Sequence, residues 1–356
     1  MIADREASIV RRTFDLDPGL LALASSDARG VPTAGRDAEI AALRRVGARN
    51  ASLGRIYEGH LNGAQLVARC GSDAQRATVG SAIAAGHIFG VWNTQDDADG
   101  LRIERCGDKL RLSGAKTWAS GAGSITRPIV TAAWPDNGVQ MCLARMDEIC
   151  TRIDASAWRP LGMHDSDSFR VSFDGVTLAT SDLIGEPGDY ERQPWFFAGA
   201  LRFAAVHTGI VERLVAETVR CLHEHARDGD PFQRMRVAEM KIASRTAIHW
   251  LDTGASAWRA FDADPSERNC AEVLDVVDMA RTVVERAGLD VIERAVRSVG
   301  ARGLVEPEPF AALVRDLQMY LRQPAPDAAL LRIGRAAFAD TGEGAAYGSP
   351  DGRLPA

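Results

Sequence analysis

The chain predicts an α+β fold in three consecutive parts: N-terminal helices, a middle β domain of barrel or sandwich type, and a C-terminal helical bundle. Three observations carry that expectation. Ala, Leu and Arg recur at helical spacing before residue 87, a period of two takes over to about Tyr190, and helical spacing returns from Pro194 to Asp340. The boundaries expected are 1–86, 87–190 and 191–340, with 341–356 as a flexible tail.

The first part is helical in "LLALA", "AEIAALRRVGARNASLGRIYEGHLNGAQLVARC" and "QRATVGSAIAAG", with "SDARGVPTAGRD" as a loop. In the second part, "LRIERC" and "KLRLSG" alternate apolar and polar residues around Gly107-Asp108, which predicts a hairpin with one buried face. "PIVTAAW" and "VQMCLARM" flank Pro135-Asp136-Asn137-Gly138, a second hairpin turn. In the third part Val211, Leu214, Val215 and Leu222 share one helix face, with Glu212, Arg213, Glu217 and Arg220 on the other. Leu313, Leu317, Tyr320 and Leu321 form a similar stripe. The last seventeen residues or so are rich in Gly and Pro and short of large apolar groups, which predicts the tail.

Composition narrows the function classes. With 356 residues, 46% of them hydrophobic, the chain buries a large core. A net charge of −6 argues against a nucleic-acid surface, which needs a local excess of Lys and Arg. Six cysteines at 70, 106, 142, 150, 221 and 270 include no C-x-x-C pair. They read as reduced thiols in the cytoplasm, neither a disulfide framework nor a zinc site. No apolar run approaches the roughly 18 residues of a membrane helix, and the opening segment lacks a signal peptide's apolar stretch. His223-Glu224-His225 offers no metal site, since residues two apart on a helix point to different sides.

Two segments carry the chemistry. Trp118 and Ser120 in "GAKTWASGAG" and Thr94 in "WNTQ" place an indole and hydroxyls at the ends of strand-like runs. A flat aromatic cofactor needs one broad apolar wall and a few fixed polar contacts on its edge, which these residue types supply. The alternative is a Trp packed in a β core before a Gly-rich turn.

The segment "GAKTWASGAG" resembles the G-x-K-x-W-I-[ST] motif of the acyl-CoA dehydrogenase superfamily, and Thr94 stands where that family carries the Thr of its "TEP" motif. Residues 161–190, ending "LIGEPGDY", are similar to its last β-domain strand and exit, and residues 202–214 to its next helix. With weaker matches the resemblance runs from about 87 to 320, in the family's order of helices, β domain and bundle. It implies a flavin, FAD with FMN possible, between the β domain and the bundle. Thr94 and Ser120 are then expected at the isoalloxazine edge, with Trp118 over one face. Arg227 and Phe232, with Arg297 in the family's Gln position and Gly300 at its first Gly, are expected to hold the distal half of a neighbouring subunit's cofactor. Arg202 is expected at the nucleotide handle of a thioester. The resemblance also implies a homodimer or homotetramer acting on a small-molecule acyl thioester or another carbon substrate.

The sequence departs from that pattern in two places. Gln95 replaces the usual Glu, and "DDADG" stands where "GSD" is expected. The catalytic residue is unassigned: the two positions where the family carries its Glu base hold Gln323, followed by Pro324, and Leu201, none of which accepts a proton at neutral pH. Asp327 and His207 are the nearest relocated candidates. Three functions follow: a dehydrogenase oxidising the CH–CH bond of an acyl thioester, a monooxygenase using reduced flavin and oxygen, and a non-catalytic, cofactor-free partner protein.

Overall fold

The computed structural model describes residues 18–134, 138–305, 309–322 and 324–339. The expected tail at 341–356 and Gln323 lie outside them. The chain opens with helices α1 (Pro18–Ala22), α2 (Arg36–Arg49), α3 (Ala51–Cys70) and α4 (Asp73–Ala84). Local chemistry sets their starts. The Asn50 side chain accepts from Leu53 N at 2.8 Å, and Ser72 and Gln75 form a reciprocal capping box. The Gln75 amide also donates to Ser181 O and Leu183 O, joining α4 to the strands.

The strands are β1 (Phe89–Trp92), β2 (Arg102–Cys106), β3 (Lys109–Ser113), β4 (Ala115–Ala119), β5 (Arg127–Trp134), β6 (Gly138–Leu143), β7 (Arg152–Asp154), β8 (Phe169–Ser172), β9 (Thr177–Ala179) and β10 (Leu183–Ile184). They form two sheets, not a closed barrel. One has the order β10-β6-β5-β2-β3-β9 with β1 added parallel to β5; the other is β4-β8-β7. Both expected hairpins are present. Cys106 pairs with Lys109 across Gly107-Asp108, and Trp134 pairs with Gly138. The chain changes sheets at Gly114, where φ is 98° and a Cβ would collide with the Gly100 carbonyl. Only glycine fits that corner. Trp92, Leu101, Ile103, Leu112, Val171 and Phe173 fill the space between the sheets.

Helices resume as α5 (Trp195–Ala198), α6 (Ala200–Glu224), α7 (Pro231–Ala263), α8 (Glu267–Val299), α9 (Pro309–Tyr320) and α10 (Pro326–Ala339). The α6 stripe is buried at Val211, Leu214 and Leu222 and half-buried at Val215. Glu217, expected on the polar face, is buried instead, because Arg213 and Arg220 reach over it from the same helix and satisfy its carboxylate. The opening helices and the bundle share one hydrophobic core. Arg36 bonds to Asp262 at 2.8 Å and Arg44 to Glu212 at 2.9 Å across that junction. Gly209 on α6 lets α2 approach so closely that a Cβ there would collide with the Arg44 carbonyl. No described helix is long and apolar enough to cross a membrane.

Candidate functional site

The structure brings the two sequence segments together. Thr117 N donates to Thr94 O at 3.0 Å, and the Trp92 indole donates to Ser120 O at 2.9 Å. Lys116 reaches across from β4: its Nζ donates to Asn93 O at 2.9 Å, Gln95 Oε1 at 2.6 Å and Thr131 Oγ1 at 2.9 Å. The end of β1 and the whole of β4 therefore form one wall.

Strict alternation along β4 would put Lys116 and Trp118 on the same face. The register instead shifts between Lys116 and Ala119, and Trp118 takes a φ of 54°. This bulge turns the indole outward, leaving Trp118 52% exposed while Lys116 is 1% exposed. The Trp158 ring meets Trp118 edge-on at 5.6 Å. Thr94 is exposed beside it. Ser120 is buried, and its Oγ lies 2.9 Å from Ser168 Oγ, which in turn lies 2.9 Å from Ser166 Oγ. The Thr117 hydroxyl is buried and has no hydrogen-bond partner. The sequence reading passed over Thr117 and Lys116, although both lie inside the quoted motif.

The other expected residues fall elsewhere. Arg227 Nη1 donates to Ser298 O at 2.8 Å, next to Arg297 and Gly300 at the end of α8. Arg297 is exposed and bonds to Glu293 on its own helix at 3.1 Å, while Gly300, with φ 80°, closes α8 by donating its N–H to Val296 O. These three form a second group, built from bundle helices. Phe232, at the start of α7, is exposed. Arg202 is buried and spans to α3, where its Nε meets Glu58 at 3.3 Å and its Nη1 meets Gln65 at 3.5 Å. That placement makes it a link between α3 and α6.

Of the base candidates, Leu201 is 2% exposed in the core and Asp327 is exposed on α10. His207 is buried edge-to-face against Tyr320 at 4.3 Å, and burial, with Arg281 nearby, pushes its pKa down to about 3. It is a neutral imidazole with an unpartnered Nε2. A carboxylate that the sequence reading did not single out is Asp316 on α9. It accepts from Met163 N at 2.6 Å, in the loop leading to Ser166, and burial raises its pKa. His223 contacts Asp228 and His225 contacts Cys221 O, and among the described residues no cluster of His, Cys, Asp or Glu is arranged for a metal. Clefts of about 290 Å³ beside α1 and about 510 Å³ between Cys70 and Trp134 do not include Trp118. The indole stands on an open face.

This three-part architecture, with its outward Trp beside an exposed Thr, defines a class of helix–sheet–bundle enzymes. No family model matches the sequence. A putative acyl-CoA dehydrogenase, YdbM of Bacillus subtilis, is 24% identical over 250 residues, 67% of this chain and 62% of that protein. The amino sugar nitrososynthase DnmZ of Streptomyces peucetius is 28% identical over 58% of this chain and 54% of its own length. The alignments thus span less than two thirds of either relative. Among solved structures, the dibenzothiophene monooxygenase TdsC of Paenibacillus sp. A11-2, seen with FMN and indole, superposes with a TM-score of 0.82 at 19% identity, covering 95% of this chain and 90% of that one. Butyryl-CoA dehydrogenase of Megasphaera elsdenii gives 0.76 at 17% identity, over 90% and 87%. By its fold and its sequence relatives, the chain belongs to the acyl-CoA dehydrogenase superfamily.

Proposed function

We propose that the protein is a flavin-dependent oxidoreductase whose isoalloxazine ring lies on Trp118, with its edge toward Thr94, Thr117 and Ser120. The observation that carries this reading is the β4 bulge, which turns an indole outward beside an exposed Thr and a buried hydroxyl that lacks a partner. An exposed indole loses roughly 25 cal/mol for each Å² of apolar surface left in water, and a planar ligand covering it recovers that. A buried hydroxyl without a partner costs about 1–3 kcal/mol, which a polar edge placed there offsets. When bound, the flavin supplies the electron and hydride chemistry that no side chain here supplies. The protein's part is to hold the ring, donate hydrogen bonds to its edge and exclude water from one face.

Two reactions fit such a site. Oxidising an acyl thioester needs a base that removes the α-proton, and Leu201 and the neutral His207 do not serve. Leu201 therefore favours the second reaction, in which reduced flavin and dioxygen oxidise a small carbon substrate. Arg227, Arg297 and Gly300 are proposed to hold the phosphates of a neighbouring subunit's FAD, and FMN lacks the half they would reach. Exposed Met235 and Ile242 on α7 support a homodimer or homotetramer, and the six free cysteines support a reducing, cytoplasmic setting.

Spectroscopy tests the reading. The purified protein, or the protein mixed with FAD or FMN, is expected to show a bound-flavin absorption band; a colourless protein that acquires none contradicts it. Anaerobic bleaching of that band by acyl-CoAs identifies the dehydrogenase. Bleaching by a flavin reductase with NADH, followed by oxygen transfer in air, identifies the monooxygenase.

A further inference from the structure

We propose that Lys116 is the positioning residue of this site, clamping the Asn93–Gln95 segment to β4 and setting a positive charge with no carboxylate partner behind the cofactor-facing wall. The inference rests on the flavin reading for its purpose but on geometry for its content. Lys116 is among the largest fully buried side chains in the protein. Its three partners, Asn93 O, Gln95 Oε1 and Thr131 Oγ1, are all neutral oxygens. Thr131 spends its own proton on Asn93 Oδ1 at 2.7 Å, so toward Lys116 it acts only as an acceptor. Three acceptors need three N–H donors, which an ammonium has and a neutral amine lacks. The geometry therefore specifies the charged form in a place where charge is costly.

The surrounding groups leave that charge uncompensated. Cys142 faces it from β6 as a neutral thiol, its pKa pushed up to about 12 by burial. Thr131 faces it from β5, and Asn93 and Gln95 from the segment after β1. Asp96 and Asp97 follow in an exposed loop, and Asp99 is paired with Arg170. Asp182, beyond Cys142, is paired with Arg145 at 2.6 Å. Where a carboxylate at position 95 would neutralise Lys116, Gln95 supplies only a dipole. Burial accordingly pulls the Lys116 pKa down to about 7. A fixed positive charge behind the ring favours reduced, anionic flavin over oxidised flavin. The clamp holds Thr94 where Thr117 N meets its carbonyl.

Two variants test the clamp and the charge separately. In the flavin-free protein, Lys116→Met is expected to speed amide hydrogen exchange at Thr117 by tenfold or more; unchanged exchange overturns the clamp. Should that variant fail to fold, Thr131→Val and Gln95→Leu each remove one acceptor and are expected to speed the same amide. Gln95→Glu supplies the missing carboxylate and is expected to keep Thr117 protected while abolishing the rise in stability that the wild type shows from about pH 7 to 10; a rise that persists overturns the uncompensated charge. In the flavin-loaded protein, Gln95→Glu is expected to weaken the preference for reduced flavin by tenfold, about 30 mV for a two-electron couple. An unmoved potential overturns the role assigned to the charge. If wild type takes up no flavin yet Thr117 and the pH profile respond as stated, the clamp and its charge stand and the flavin reading is what fails.

Discussion

Trp118 and Lys116 sit two residues apart on one strand and do opposite things, because the bulge between them breaks the alternation. Trp118 contributes little to the core, so Trp118→Ala is expected to cost less than about 1 kcal/mol of stability while weakening flavin binding by tenfold or more. Denaturant unfolding and fluorescence titration measure the two; equal loss of both would make Trp118 a core residue. Lys116 has a pKa of about 7 in the folded protein against an ordinary 10.5. The unfolded chain thus binds more protons between those values, and stability rises with pH there by up to about 1.4 kcal/mol per unit. Lys116→Met is expected to flatten that limb in unfolding experiments from pH 7 to 10. The motif was legible in sequence because indole, hydroxyl and lysine are unusual neighbours. The outward turn of the indole was not, since it depends on a register shift set by β8. The uses of Arg202 and Glu217 were hidden for a similar reason. Each is buried because a particular partner, Glu58 for one and Arg213 with Arg220 for the other, reaches it after folding.

At the scale of elements, periodicity located the strands and helices well wherever a single face was buried. The β2–β3 and β5–β6 hairpins follow the alternation and turn residues read from the sequence. Alternation does not say which strands share a sheet. The division into two open sheets depends on Gly114, the corner between β3 and β4, and on the long-range pairing of β1 with β5. Gly114→Ala is expected to cost at least about 2 kcal/mol, since it adds a left-handed backbone strain to a collision with the Gly100 carbonyl. A shift in the denaturation midpoint measures this. Because Gly114 N also donates to Asp174 Oδ1 at 2.7 Å, the same variant is expected to loosen the start of β4 and with it the wall that carries Trp118.

For the whole molecule, the opening helices and the bundle act as one body with the sheets packed against it. Two histidines are locked inside that body: His60, with a pKa pushed down to about 4, and His207, pushed down to about 3, both by burial. Their folded values lie below the ordinary 6.5, so the stability they lend is full above that pH and is lost as pH falls toward 4 and 3. Unfolding free energy is expected to drop by up to about 1.4 kcal/mol per unit for each histidine below about pH 6.5. Replacing His207 with Phe is expected to flatten part of that acid limb in denaturant titrations between pH 7 and 4.5. Such buried, neutral imidazoles also bear on catalysis, since they leave no proton acceptor along the part of α6 next to Leu201. The account depends most on the outward wall of β4 being a flavin surface. The most direct test is a fluorescence titration of wild-type protein and Trp118→Ala with FAD and with FMN. Saturable binding at one flavin per chain, weakened tenfold or more by the substitution, is the predicted result; no binding, or equal binding by both proteins, would contradict it.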